Sequence, residues 1–265
     1  MDAGRNRALV TGAAAGLGLA MVRRLLADGW HVVAVDREAA GLQRLEEEAG
    51  RDLSPVVADL ADREALEELG AILAGQGPYR RIVLNAGISA TGNFETIPAD
   101  LHQAVVDINL TAPMALASAL VRADAVTAGG SLVFISSLSR YVGYPGAAVY
   151  SATKEGLAVF ARSLRRPLGR RKVRVMTVCP GPMDTAQAET HAPPGADRSK
   201  RMPPDQAAGR ILAAAGHPAL AGLFLGGNVF VPGFAPKCAA LAGRMFPGLA
   251  TWAMRKAIFE KLGTS

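Results

Sequence analysis

The sequence predicts an α/β protein built on one doubly wound parallel sheet of about seven strands, with helices on both faces and a helical extension at the carboxyl end. Three observations carry this expectation. Short apolar runs rich in β-branched residues alternate with longer stretches of helical periodicity, the βαβ pattern. Most of the strand runs are apolar throughout, which a strand covered on both faces requires. The 265 residues hold no internal repeat, low-complexity tract or linker, so one layered core accounts for most of them.

The elements follow in order. A first strand runs from Ala8 to Thr11 and a first helix from Gly16 to Asp28, with Leu17, Met21 and Leu25 near the 3.6-residue spacing. Further strands are expected from His31 to Asp36, Pro55 to Ala58, Arg81 to Leu84, Ser131 to Ser136, Val173 to Val178 and Val229 to Val231. Helices are expected from Glu38 to Ala49, Arg63 to Leu73, Leu101 to Val121, Val149 to Leu168 and Pro204 to Ala215. Two segments stand apart, a Pro/Gly-rich loop from Pro180 to Pro204 and a tail after Pro232. Residues 1–233, with a substrate loop at 182–204, therefore read as one unit, and 234–265 as an extension packed on it.

Composition excludes several classes. Half the residues are apolar and a fifth charged, too hydrophobic for a disordered chain. Cys179 and Cys238 are the only cysteines, so neither a disulfide framework nor a zinc cluster is expected, and a reducing, cytoplasmic compartment fits. His31, His102, His191 and His217 lack metal-ligand spacing, and no metal is expected. The amino terminus runs into the first strand without an apolar leader. Gly216-His217-Pro218, Gly226-Gly227-Asn228 and Pro232-Gly233 interrupt the uncharged stretch between Arg210 and Lys237. It therefore reads as helix end, turn and strand rather than a membrane span. The formal charge is +6 and the pI about 9.7. Much of that excess lies between Arg162 and Arg174, at a helix end where basic residues complement the macrodipole. No nucleic-acid motif accompanies it, so a solvated basic edge is expected.

Chemistry begins in the first βα turn, Thr11-Gly12-Ala13-Ala14-Ala15-Gly16-Leu17-Gly18. A glycine-rich turn lets backbone approach a diphosphate, and the helix behind it offers free N–H groups and a partial positive charge. The next strand ends at Asp36, placed to accept hydrogen bonds from an adenosine ribose and to repel a 2′-phosphate. NAD is therefore favoured. Arg37 keeps NADP open, because a guanidinium there could pair with that phosphate. Asp36 could instead serve only as a strand-end residue capping the next helix.

Tyr150-Ser151-Ala152-Thr153-Lys154 opens another helix, and the i to i+4 spacing puts phenol and ammonium on one face. The phenol's ordinary pKa near 10 is too high for a base at neutral pH. A fixed ammonium lowers it, as proton exchange with an alcohol requires. Ser137, thirteen residues upstream at a strand end, supplies a hydroxyl for a substrate oxygen.

With these residues the chain resembles the short-chain dehydrogenase/reductase family, in its shorter, single-domain Rossmann-type branch. Thr11 to Gly18 matches T-G-x-x-x-G-x-G, Asp59-Leu60 the acidic site after the third strand, and Asn85-Ala86-Gly87 the N-A-G after the fourth. Asn109, Ser137, Tyr150 and Lys154 match the catalytic tetrad, and Pro180-Gly181-Pro182-Met183-Asp184-Thr185 matches P-G-x-x-x-T. The resemblance spans about Ala8 to Val231 and implies hydride transfer at a secondary alcohol or ketone. It implies Tyr150 as general acid/base, Ser137 orienting the reacting oxygen, and Lys154 lowering the phenol's pKa while holding the nicotinamide ribose. Asn109 would fix a backbone and water path to Lys154. Gly12, Gly16, Leu17, Gly18, Asp36, Arg37, Asp59, Leu60, Asn85, Ala86, Gly87, Pro180, Gly181, Met183 and Thr185 would join Tyr150 and Lys154 around the cofactor. A homodimer or homotetramer is implied as well. Leu84, Ala14 and Pro182 depart from the family's usual residues.

Substrate walls are expected from Ala90 to Phe94, Ser139 to Tyr144 and Met183 to Met202. Phe94, Tyr141, Tyr144 and Met183 there are apolar or aromatic, while Arg140, His191, Arg198 and Lys200 add charge. A mainly apolar, medium-to-large alcohol or ketone is expected. The tail, with Phe246, Trp252 and Phe259 among Arg244, Arg255, Lys256 and Lys261, could cap the pocket, touch a second subunit or lie on a membrane as a peripheral contact. An epimerase or dehydratase on the same fold and a non-catalytic dinucleotide sensor are the competing classes. The glycine spacing argues against the first and the intact Tyr–Lys pair against the second.

Overall fold

A computed structural model describes residues 5–141, 146–191, 197–217 and 228–262. Its strands are β1 (Arg7–Thr11), β2 (His31–Asp36), β3 (Leu53–Val57), β4 (Tyr79–Leu84), β5 (Val126–Ile135), β6 (Arg174–Val178) and β7 (Val229–Phe230). All pair in parallel in the order β3-β2-β1-β4-β5-β6-β7. The chain winds outward from β1 to β3, then crosses to β4 on β1's other side. Such a reversal opens a crevice at the carboxyl ends of β1 and β4.

The helices are α1 (Gly16–Ala27), α2 (Ala39–Ala49), α3 (Leu66–Gly75), α4 (Ala99–Val106), α5 (Ala112–Arg122), α6 (Ala148–Arg170), α7 (Ala186–Thr190), α8 (Pro204–Gly216), α9 (Phe234–Met245) and α10 (Pro247–Leu262). Val10, Val83, Val133 and Met176 point to one face of the sheet and pack with Leu17, Met21 and Leu25 of α1, Leu42 and Leu45 of α2 and Ile211 of α8. Leu9, Ile82, Leu132 and Val175, one residue out of phase, face α3, α5 and α6 on the other side. Two dry layers sandwich the sheet, as the uninterrupted apolar strands require.

The boundaries differ from the expected ones for local reasons. β5 begins at Val126, paired with Tyr79, and its register shifts before Arg81, so the expected strand was only its regular half. The carboxylate of Asp62 accepts from the backbone of Glu64 and Ala65, holding a turn that delays α3 to Leu66. The helix expected from Leu101 to Val121 contains a π-helical segment at Asp107–Thr111 between α4 and α5. Pro113 lies one turn beyond Asn109 and has no N–H for that residue's carbonyl, so regular α-helical pairing is broken there. The run Ala99–Arg122 has the length and mean hydropathy, 1.6, of a membrane span, but half of it is buried in the protein. It is a core helix. The Arg210 to Lys237 stretch resolves into α8, β7 and the start of α9, with 218–227 outside the described residues.

Candidate active site

The glycine turn joins β1 to α1 at the crevice. Gly12 has φ +66°, and a Cβ there would lie 2.9 Å from the Ala86 backbone, so both conformation and space demand glycine. Ala15 enters α1 with extended backbone, and neither a side-chain cap nor an acidic residue serves the first turn. Its unpaired N–H groups and the positive helix end therefore face the cleft. Gly18 has another duty. A Cβ on it would stand 1.8 Å from the Gly12 carbonyl oxygen, so it lets helix and strand pack closely and does not line the cleft.

Thr11 and Asn85 tie β1 to β4. The Thr11 hydroxyl oxygen accepts from the backbone of Asn85 and Ala86, at 3.0 and 3.1 Å, and the Asn85 amide donates to the carbonyls of Thr11 and Gly12. Asp36 uses both oxygens, one accepting from the Ala14 N–H at 2.9 Å and the other from Glu38 at 3.0 Å. It holds the glycine turn and the entry to α2 while lining the cleft. Arg37 lines it too, with its exposed guanidinium 3.4 Å from the Glu38 carboxylate. Asp59 and Leu60 complete that end beside Asn85, Ala86 and Gly87.

At the other end α6 presents Tyr150 and Lys154 one turn apart. Lys154 is buried, its ammonium donates to the Ile135 carbonyl at 3.0 Å, and it lies 5.5 Å from the Tyr150 ring centroid. Burial pulls its pKa down from 10.5 to about 8. The Ser136 hydroxyl donates to the Lys154 carbonyl at 2.7 Å, fixing the end of β5 to α6. Ser137 follows and lines the cleft with Tyr150 and Lys154. Its hydroxyl oxygen accepts from the Ser139 N–H.

Asn109 stands one layer back and does not line the cleft. Fully buried, its carbonyl oxygen accepts from the Ile88 N–H at 2.8 Å and its amide donates to the Ile88 carbonyl at 2.9 Å. It clamps the chain leaving β4, and a Cβ on Gly87 would come within 3.0 Å of the Lys154 ammonium and 3.1 Å of the Asn109 oxygen.

Pro180, Gly181, Met183 and Thr185 form the last wall. The Pro182 carbonyl accepts from the Met202 N–H and Asp184 donates to the Met202 carbonyl, making a short parallel bridge between Met183 and Met202. The missing N–H of Pro182 thus falls where none is used. Thr185 caps α7, accepting from Ala188, and its methyl lies against Gly16. Gln187 was not foreseen in the sequence: it lines the cleft and donates to the Gly87 carbonyl at 3.2 Å, joining the loop to β4's end. Ile88 and Ile108 also line it. Nothing in their spacing marked them: Ile108 lies in the π-helical segment beside Asn109, and Ile88 is held by Asn109 just beyond β4.

The cleft encloses about 350 Å³. One end offers an uncapped helix terminus and glycines without room for side chains, the other a phenol, a hydroxyl and a buried ammonium. The donor set fits a dinucleotide lying from Asp36 to Thr185, and fold and site together define a dinucleotide-dependent oxidoreductase.

Comparison with known proteins agrees. The family model for short chain dehydrogenase matches residues 6–194, and the chain belongs to that family. It is an NAD(P)-dependent oxidoreductase acting on hydroxyl and ketone groups. It is 36% identical to 1-deoxy-11-beta-hydroxypentalenate dehydrogenase of Streptomyces avermitilis, over 80% of this chain and 81% of that one. It is 35% identical to carbonyl reductase [NADPH] 2 of Sus scrofa, over 69% and 74%. Among solved structures, BdcA in complex with NADPH superimposes with a TM-score of 0.73 at 28% identity, covering 85% of this chain and 92% of that one.

Proposed function

We propose that this protein interconverts a mainly apolar, medium-to-large secondary alcohol and its ketone, with Tyr150 as general acid/base. The observation that carries the reading is the Lys154 ammonium, held by the Ile135 carbonyl on the same helical face as Tyr150. Nicotinamide, when bound, supplies or accepts the hydride. Tyr150 gives a proton to the carbonyl oxygen or takes one from the alcohol, and the fixed positive charge of Lys154 favours its phenolate. Ser137 donates a hydrogen bond to the reacting oxygen. Lys154 also holds the nicotinamide ribose, and Asn109 keeps the Gly87–Ile88 backbone in place beside it. The glycine turn, Leu17, Asp36, Arg37, Asp59, Leu60, Asn85, Ala86, Gly87, Pro180, Gly181, Met183 and Thr185 hold the rest of the cofactor.

The charges of the substrate loop support an uncharged substrate. Arg198 pairs with Asp184 at 2.7 Å, Lys200 with Asp197 and Arg201 with Glu189, while His191 bonds to Thr91. Arg140 is engaged bidentately by Glu155. These side chains are spent on one another, and Met183, Ile88 and Ile108 face the cleft. Tyr144 lies outside the described residues, and Phe94 stacks on His102 at the surface. The pig relative, named a carbonyl reductase, fits the same class.

NAD is the preferred cofactor in this reading, because the Asp36 carboxylate, anchored on Ala14, would face a 2′-phosphate. The NADPH named with BdcA and the pig enzyme makes Arg37 the residue on which the opposite preference would rest. Residues 1–233 serve as the catalytic unit with 234–265 as an extension, in a cytoplasmic homodimer or homotetramer. A panel of ketones and alcohols assayed with both cofactors tests the reading. Turnover of apolar ketones with kcat/KM higher for NADH is expected; activity confined to small polyols, or a clear preference for NADPH, overturns the corresponding part.

A further inference from the structure

The helix α9 packs inside out. On α9 the buried residues are Ala240 and Gly243, whereas Phe234, Leu241 and Met245 are exposed, Phe234 by 83%. A helix that only covered a core would turn its bulky residues inward. Phe234, Cys238, Leu241 and Met245 recur at i, i+4, i+7 and i+11, one helical face directed outward. Phe246 continues it at the junction, and Leu249 and Trp252 extend it along α10, each more than half exposed. Six of the eleven large exposed hydrophobic residues among those described fall in this one stretch, so the patch is no random scatter.

Its charge is equally one-sided. From Phe234 to Leu262 the sequence carries Lys237, Arg244, Arg255, Lys256 and Lys261 against Glu260 alone, a second basic concentration beside the one at Arg162 to Arg174. Lys237 and Arg244, seven residues apart, share the face beside the apolar stripe, and Lys256 lies over the Trp252 ring. Long basic stems along an apolar surface, with aromatic residues between them, are the composition of an interfacial segment.

We propose that α9 and α10 form a docking surface for an anionic lipid bilayer, with Phe234, Met245, Phe246, Leu249 and Trp252 entering the headgroup boundary. The charge selects this occupant over a second copy of the chain. Two copies face to face would bring like charges together, whereas an anionic bilayer neutralises them. The position fits the chemistry, since Pro236 at the start of α9 packs on Gly181 in the wall of the catalytic cleft. Delivery of an apolar substrate from the bilayer to that cleft rests on the function proposed above; docking itself does not.

The test is flotation of the full chain with vesicles of phosphatidylcholine alone or mixed with phosphatidylglycerol. Each basic residue at an anionic surface contributes about fivefold, so a preference for the mixed vesicles of about a hundredfold or more is expected, weakening with salt. Replacing Phe246, Leu249 and Trp252 together by serine should abolish flotation while leaving turnover of a soluble ketone intact. Equal binding to both vesicles, or none to either, overturns the proposal. So does a wild-type dimer that becomes monomeric in the triple variant without any vesicle binding, which assigns the face to a second copy. Vesicle binding without turnover of apolar ketones would instead sink the substrate reading and leave the surface standing.

Discussion

The ammonium of Lys154 lies 5.5 Å from the centroid of the Tyr150 ring, and the Ile135 carbonyl holds it there at 3.0 Å. The lysine therefore reaches the phenol as a fixed charge.

Tyr150→Phe removes the proton carrier and leaves that charge in place. Turnover should fall by about 10²- to 10⁴-fold, while cofactor binding, followed by quenching of protein fluorescence, stays near wild type. Near-normal kcat would remove Tyr150 from its role.

Burial brings the Lys154 pKa to about 8, so the free protein loses this proton across the mildly alkaline range. A bound anionic dinucleotide favours the charged form and raises the value. Binding near pH 8 to 9 should therefore take up protons, measurable by calorimetry in buffers of different ionisation enthalpy, and Lys154→Met should abolish the uptake. Between the folded value of about 8 and the unfolded 10.5 the unfolded chain holds more protons, so stability contributed by this group rises with pH there.

Gly87→Ala would place a methyl 3.0 Å from the Lys154 nitrogen and 3.1 Å from the Asn109 oxygen. Both are ends of polar side chains and can shift slightly, so the variant should fold. Its kcat should fall about tenfold or more as Lys154 is displaced, with a melting temperature close to wild type. An unchanged kcat would show that the lysine tolerates movement.

Gly18→Ala meets backbone instead, with a Cβ 1.8 Å from the Gly12 carbonyl oxygen. Helix and strand must separate, and a loss of about 2–4 kcal/mol in unfolding free energy is expected, read by urea titration. A neutral result would mean that the turn relaxes freely.

Asp36→Ala frees the Ala14 N–H and removes the negative charge from the adenosine end. The ratio of kcat/KM for NADH over NADPH should drop about tenfold or more. An unchanged ratio would assign cofactor choice to Arg37 and its surroundings.

Much of the site is legible in the sequence. The strand–glycine turn–helix at Thr11 to Gly18 and the Tyr150–Lys154 pair are local patterns, and local geometry alone puts their groups on one face. Asp36 shows where pattern reading stops. Ribose contact and helix entry were both open from sequence, and the fold uses the carboxylate for the glycine turn as well as for α2. Gln187 was invisible because it reaches the cleft only through a loop closing over β4's end, and Ile88 because the long-range clamp of Asn109 sets its place. The π-helical segment at Asn109 was missed because one displaced hydrogen bond barely alters apolar periodicity. The tail's composition was plain, but only burial reveals that on α9 Ala240 and Gly243 face in while Phe234, Leu241 and Met245 face out.

The bridge between Met183 and Met202 ties the stem of the segment that separates β6 from α8. Chain between the two methionines hangs from a closed neck, and its ends stay fixed whatever its length. Insertions or exchanges inside that neck beyond Gln187, which lines the cleft with Thr185, can reshape what the enzyme accepts without moving Pro180 and Gly181. Natural drift and laboratory evolution would therefore find new specificities here at little cost to the chemistry.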